Sequence, residues 1–315
     1  MKDNFGRDIN YLRISVTDLC NLRCVYCMPE GGIAKKRHSD ILSIEEIEEI
    51  VRAAADCGIT KVRVTGGEPL VRRGITEICR KIAGTPGIRE VCMTTNATLL
   101  PKYAEELFAA GVSRLNISLD SLDSETYAKV TRTGSLDDAM GGIEAALKAG
   151  FESIKINAVL MGGVNDGNIR ELIYLTKRRG ISVRFIELMP IGECARWSKE
   201  RFISNSIVLK TVPELLETGA DGVAKLYRLP DGQGTVGLIS PISSHFCKTC
   251  NRIRVTSDGK LKPCLHSETE IDLRGLRGAE LKNTIAQAIL DKPQMHMLES
   301  GQKSHSARNM HAIGG

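Results

Sequence analysis

Through residues 11–190 the chain alternates two hydrophobic periods. Apolar residues recur every second position over residues 11–16, 61–65, 89–94, 114–119, 153–160 and 182–188, which predicts strands. Between them, residues 44–57, 74–83, 101–110, 136–149 and 168–179 carry the wider spacing of helices. Ser43 and Glu46 stand at capping-box spacing before the first helix, and Gly58, Gly111, Gly150 and Gly180 stand where helices stop. Six strands alternating with helices predict parallel βα units. A closed barrel needs eight, so the expected fold is α/β, an incomplete, open (β/α)6 barrel.

Strands buried on both faces read as continuous apolar runs. These alternate instead. Leu12, Ile14 and Val16 oppose Arg13 and Ser15; Val62 and Val64 oppose Lys61, Arg63 and Thr65. Leu115, Ile117 and Leu119 oppose Asn116, Ser118 and Asp120. Residues 153–157 and 182–185 continue the pattern. With the apolar face under the helices, the polar face lines the lumen. Buried cations are costly without partners. A lumen carrying Arg13, Lys61, Arg63, Lys155 and Arg184 therefore calls for a polyanionic ligand, with one or two of them paired to internal carboxylates such as Asp120 and Glu187. Arg114, at a strand start, is expected on the barrel floor.

The 315 residues are long enough for one large domain or two, and we divide them at 1–220 and 221–315. No run of 18 apolar residues argues for a membrane span, and residues 1–10 lack a signal-peptide core. Ten cysteines without an export signal point to a reducing, cytoplasmic setting. A net charge of +5 suits a small anion. Aromatic residues at 4% offer few stacking platforms, so nucleic acid is not expected.

Three of the cysteines, Cys20, Cys24 and Cys27, form a C-x3-C-x2-C run. The run is too tight for two disulfides and points to a metal. Zinc would want a fourth ligand; a [4Fe–4S] cubane on three thiolates keeps one iron open. The run, with Tyr26 before its third cysteine, resembles the signature of the radical S-adenosylmethionine (SAM) enzymes. That resemblance implies that the open iron chelates SAM, whose cleavage yields a hydrogen-abstracting 5′-deoxyadenosyl radical. Gly66-Gly67-Glu68-Pro69 after the second strand matches the family's SAM-binding element. The incomplete barrel is also the family's fold.

A second triad, Cys247, Cys250 and Cys264, brackets a hairpin that turns at Asp258-Gly259. From spacing alone, a Cys3His zinc ribbon using His266 and a second [4Fe–4S] cluster rate equally. Arg252 and Arg254 share one strand face beside Cys250 and suit an anion. The two triads, with Thr94-Thr95-Asn96, residues 116–120 and Met189-Pro190 between them, are closely similar to the GTP 3′,8-cyclase family of molybdenum cofactor biosynthesis. The likeness runs from Arg13 to Gly315.

This resemblance implies two [4Fe–4S] clusters, SAM as cofactor, GTP as substrate, and an external electron donor. It gives SAM contacts to Tyr26, Gly67, Ser118 and Met189. It gives GTP contacts to Arg13, Arg63, Thr94, Lys155, Arg252, Ile253 and Arg254. It makes the following pathway enzyme, cyclic pyranopterin monophosphate synthase, a partner by product hand-over, for a monomer or a homodimer. It also implies that Gly314 and Gly315 insert between the clusters and help set up the radical step, although residues 299–315 have no apolar periodicity and read as mobile in isolation. Cys57, Cys79 and Cys92 read as core, Cys194 stays open, and Trp197 reads as packing. Residues 191–245 read as a linker with strands near 226–229 and 235–239; a last helix spans about 276–290. A radical SAM peptide maturase would usually carry more C-terminal cysteines. An electron carrier or zinc-ribbon binding protein would need neither residues 66–69 nor a cationic lumen.

Overall fold

The computed structural model describes every residue except 198, 297, 299–303, 305 and 315. Twelve strands form one sheet: β1 Tyr11–Ser15, β2 Lys61–Thr65, β3 Glu90–Thr95, β4 Val112–Ser118, β5 Ile154–Leu160, β6 Ile181–Glu187, β7 Leu216–Asp221, β8 Ala224–Arg228, β9 Val236–Ile239, β10 Arg252–Val255, β11 Lys260–Lys262 and β12 Ile271–Asp272. From β1 to β6 the strands are parallel neighbours in chain order. The predicted strands are all present, with ends displaced by two residues or fewer.

The sheet then grows at both edges, which periodicity did not reveal. β9 joins β6 in parallel and continues through the antiparallel β8 and β7. β10 joins β1 in parallel, pairing Tyr11 with Arg252 and Arg13 with Arg254, and continues into β11 and β12. The strand order keeps two free ends, so the barrel is open. Residues 191–245 are thus more than a linker, because β7–β9 within them extend the wall.

The helices are α1 Ile44–Asp56, α2 Ile75–Ala83, α3 Leu100–Ala109, α4 Ser124–Thr131, α5 Leu136–Lys148, α6 Ile169–Tyr174, α7 Ser206–Thr211 and α8 Gly278–Leu290. Ser43 and Glu46 form the capping box of α1. The helix expected over 168–179 is shorter: α6 gives way to a 3-10 turn at Leu175–Lys177. There the Thr176 hydroxyl donates to the Ile173 carbonyl, while the Thr176 carbonyl accepts from the amides of Gln233 and Gly234. The short α4 and α7 escaped notice, having too few buried positions to set up a period; α4 buries only Tyr127, Val130 and Thr131.

Leu12, Ile14, Val62, Val64, Leu115 and Ile117 share one core with Ile47, Val51, Ile78, Ile82, Leu107 and Ile143 from the helices. The alternation therefore works as expected, sending the opposite strand face inward. No helix among the described residues is long and apolar enough to cross a membrane.

Candidate active site

The inward face walls a cavity of about 470 Å³. All six cysteines of the two triads line it, together with Arg13, Arg63, Lys155, Arg184, Arg252 and Arg254. Tyr26, Gly67, Thr94, Ser118 and Met189 line it too.

The first triad sits on the loop that leaves β1. This loop hangs from the C-terminal end of α4, whose last carbonyls have no partner within the helix. Arg23 N donates to Thr131 O at 3.0 Å and Val25 N to Val130 O at 2.9 Å. The next residue, Arg132, adopts a φ of 63°. Its Nη1 donates to Arg23 O at 2.9 Å and Met28 O at 3.0 Å, tying both ends of the triad. Tyr26 donates its phenol to Asp120 at 2.8 Å. Cys194 donates its thiol to the Tyr26 carbonyl at 3.0 Å, which gives that buried cysteine a bracing role.

The glycines after β2 have a role in packing. A Cβ at Gly67 would lie 2.3 Å from Leu19 O, and one at Gly66 would lie 2.7 Å from Thr17 O. Only glycine lets this strand end lie against the chain entering the cysteine loop. Glu68 is buried and accepts from Thr95 Oγ1, Asn96 N and Leu70 N. Burial still lifts its carboxyl to about 7. Burial likewise lifts Asp120 to about 6. The thiols nearby follow: burial, with the Glu68 charge adding to it, raises Cys20 to about 11. Burial and Asp120 push Cys24 well above its ordinary value.

The internal carboxylates that meet the lumen cations are not Asp120 and Glu187. Glu187 accepts from the amides of Asn205, Ile242 and Ser243 and from the Ser243 hydroxyl. Asp120 accepts from the Val159 amide within β5 and from the Tyr26 phenol. Glu90 instead holds Lys61 at 2.9 Å and Arg114 at 3.0 Å on the barrel floor. Asp221 takes both Lys155, at 2.6 Å, and Arg184. Arg63 donates to the Tyr11 phenol oxygen and to Met93 O. Arg13 is pushed well below its ordinary value by burial and by the neighbouring guanidinium of Arg254. Around these cations, Thr94 Oγ1, Asn116 Oδ1 and Asn157 Oδ1 are buried without a hydrogen-bond partner among the described residues. Buried polar atoms are normally satisfied, so this wall fits a polar ligand.

The second triad precedes and follows the β10–β11 hairpin, whose first strand pairs with β1. Arg7, ion-paired to Asp3 at 2.6 Å, donates to the carbonyls of Cys247, Lys292, Pro293 and Gln294. It thereby fastens the N-terminal segment to this loop. Burial would raise Cys250, but the Arg252 and Lys292 cations outweigh it and bring the thiol down to about 7. Arg252 lies 5.3 Å from the Phe246 ring centre. The Ile253 side chain is fully buried in the core, because alternate strand residues face opposite ways. Any contact it makes with the cavity must come from its backbone.

The tail enters this cavity. Arg308 anchors it, with two bonds of 2.9 Å to Asp258 and two of 2.7 Å to Glu270. Burial would raise Asp258, yet the Thr256 hydroxyl and Arg308 hold it down to about 2. Beyond the anchor, His311 Nδ1 lies 3.2 Å from Cys27 O, and Gly314 O accepts from Arg254 Nη1 at 2.5 Å. Gly314 has a φ of 69°, and a Cβ there would lie 2.4 Å from Thr65 Oγ1. Gly315 lies outside the described residues.

Sequence reasoning placed Asn157 on the lumen face but missed Asp221, Lys292, Met310 and His311 in the cavity wall. Lys292 stands between Asp291 and Pro293 and Asp221 ends an exposed strand, so neither carried a pattern to read. Three thiols in each triad, with polar wall atoms awaiting partners, suit a cluster with an open iron. Among the described residues, no three His, Cys, Asp or Glu side chains converge closely enough to share one metal ion.

Residues 14–175 match the Radical SAM superfamily model and residues 181–298 match Molybdenum Cofactor Synthesis C. The chain is 53% identical over 322 residues to the GTP 3′,8-cyclase of Alkaliphilus metalliredigens, covering 100% of both chains. It is 44% identical over 329 residues to that of Thermodesulfovibrio yellowstonii, again covering 100% of both. Among solved structures, Streptococcus suis SuiB bound to S-adenosylmethionine superposes with a TM-score of 0.63 at 18% identity, over 91% of this chain and 67% of that one. Native anSMEcpe with bound AdoMet gives 0.56 at 15% identity, over 90% and 81%. At such identities these two show the fold. Full-length relatives and both family models together place the chain in the GTP 3′,8-cyclase family of radical SAM enzymes of molybdenum cofactor biosynthesis.

Proposed function

We propose that this chain cyclises GTP to (8S)-3′,8-cyclo-7,8-dihydroguanosine 5′-triphosphate in the cavity that both triads line. One observation carries the reading: both cysteine triads and the lumen arginines wall the same space. Cys20, Cys24 and Cys27 would hold one [4Fe–4S] cluster; Cys247, Cys250 and Cys264 would hold a second. Bound at the first, SAM supplies the radical that takes the ribose 3′ hydrogen.

The remaining work falls to the protein. Tyr26, Gly67, Ser118 and Met189 surround SAM near the strand ends. Arg13, Arg63, Thr94, Lys155, Arg252 and Arg254 hold GTP, whose triphosphate needs several cations in a closed site. The second triad leaves an iron for the guanine edge. The reading of a cluster there, rather than zinc, is supported by the match of residues 181–298 to Molybdenum Cofactor Synthesis C and by the full-length GTP 3′,8-cyclase relatives. Gly314 and Gly315 shield the site and set up the radical step. Residues 1–220 thus carry the SAM chemistry, and residues 221–315 the second cluster and the tail. The enzyme would work in the cytoplasm with an external electron donor and hand its product to cyclic pyranopterin monophosphate synthase.

Anaerobic incubation with GTP, SAM and dithionite, followed by product identification, tests this directly. The cyclised nucleotide should appear, and about eight iron atoms per chain should be bound after reconstitution. A chain that cleaves SAM yet leaves GTP unchanged, or that holds four iron and one zinc, would sink the corresponding part.

A further inference from the structure

The cavity already contains an anion of its own. Asp221 ends β7, and the hairpin from β7 to β8 carries Asp221, Gly222 and Val223 into the cavity wall. One carboxylate oxygen receives both Lys155 Nζ, at 2.6 Å, and Arg184 Nη2. The pairing is lopsided. The side chains of Lys155 and Arg184 are 17% and 14% exposed, while that of Asp221 is 47% exposed. The carboxylate can leave for water at little cost, whereas the two cations cannot.

The element that carries it is also built to move. All six residues of β7 are exposed, and β7 is an end strand paired only with β8. A segment with so few buried contacts opens at low cost. The turn residue Gly222 has a φ of 61°, and a Cβ there would meet nothing within 4 Å. Glu90 holds Lys61 and Arg114 similarly, but from inside the sheet, where it cannot withdraw.

We propose that Asp221 is a displaceable stand-in anion: its hairpin holds the carboxylate where the outer phosphates of a nucleoside triphosphate bind, and the substrate must expel it. This rests on reading the cavity as the GTP site and adds a specificity device to it. One carboxylate shared by two cations sets a charge threshold. A triphosphate passes it, bringing several charges to Lys155 and Arg184. A nucleoside does not, and gains nothing from the exchange.

The test uses the protein with its clusters loaded, under anaerobic conditions, and calorimetric titration. Parent, Asp221→Asn and Asp221→Ser are each titrated with GTP, guanosine and inorganic tripolyphosphate. Both variants should bind GTP and tripolyphosphate about tenfold more tightly than the parent, with guanosine unchanged. Unchanged or weaker binding of the two anions overturns the proposal. So does equal tightening for guanosine, which would make the hairpin a lid indifferent to charge. If none of the proteins binds GTP but the variants tighten on tripolyphosphate, the anion site stands and the GTP reading falls.

Discussion

The two cysteine triads face one cavity from opposite electrostatic surroundings. The first is packed beside Glu68 and Asp120, and its thiols are pushed up, Cys20 to about 11. The second is packed beside Arg252 and Lys292, and Cys250 comes down to about 7. Thiolates bind metal, thiols do not. At the first site the metal must drive the protons off without help from the wall. At the second, the Arg252 and Lys292 cations already stabilise negative charge at Cys250, while burial still raises Cys247. Two sites with the same ligand type are thus prepared for different tasks.

The largest effects should come from removing one cysteine of each. Cys24→Ala should abolish 5′-deoxyadenosine formation, whereas Cys250→Ala should still cleave SAM but make no cyclised product. Chromatographic quantification of both products decides it, and SAM cleavage at the parent rate in Cys24→Ala would end the division of labour.

Next comes the tail, which touches both halves through Cys27 O and Arg254. Gly314→Ala places a Cβ 2.4 Å from Thr65 Oγ1 in a backbone region that L residues avoid. Cyclisation should fall by orders of magnitude with GTP affinity nearly intact. Parent-like turnover would show that the terminus has no part in the reaction.

A milder probe is alkylation of the metal-free protein. At pH 7 about half of Cys250 is thiolate, against roughly one part in ten thousand of Cys20; after allowing for lower intrinsic nucleophilicity, Cys250 should react with iodoacetamide about a hundredfold faster. Peptide mass spectrometry should show its labelling half-maximal near pH 7, and equal labelling of the two would erase the contrast.

The smallest effect concerns the first loop's support. Arg132→Gly keeps the positive φ and deletes the fork to Arg23 O and Met28 O. These partly exposed bonds contribute about 1 kcal/mol each. In a Cys250→Ala background, chelator should therefore strip iron from the first site roughly tenfold faster. An unaltered rate would assign the support to the backbone bonds alone.

The sequence disclosed the six consecutive strands and the helices between them because each strand alternates and the longer helices repeat over several turns. It disclosed both triads because metal ligands must be close in the chain to be recognised by spacing. What it hid was local support from weak patterns. α4 has few buried residues, yet its terminal carbonyls hold the cysteine loop. The partners of the lumen cations were also hidden. Asp120 and Glu187 are near in sequence to the lumen strands but accept backbone amides, while Asp221 arrives from an exposed hairpin. At Ile253 strand alternation turns the side chain into the core, so only its backbone can face the cavity that Arg252 and Arg254 line.

The pairing of β1 with β10 has a consequence in time. Tyr11 meets Arg252, so the strand that feeds Cys20 waits for a neighbour about 240 residues later in the chain. At about 5–20 residues per second, the ribosome takes roughly 12–48 s to deliver it. Until then β1 is an edge, and the first three thiols lack the wall that will enclose them. Residues 311–314, which close over Cys27 and Arg254, come later still. Cluster insertion into a growing chain would meet half a site. The order of synthesis therefore favours loading after release, with the thiols kept reduced throughout the wait.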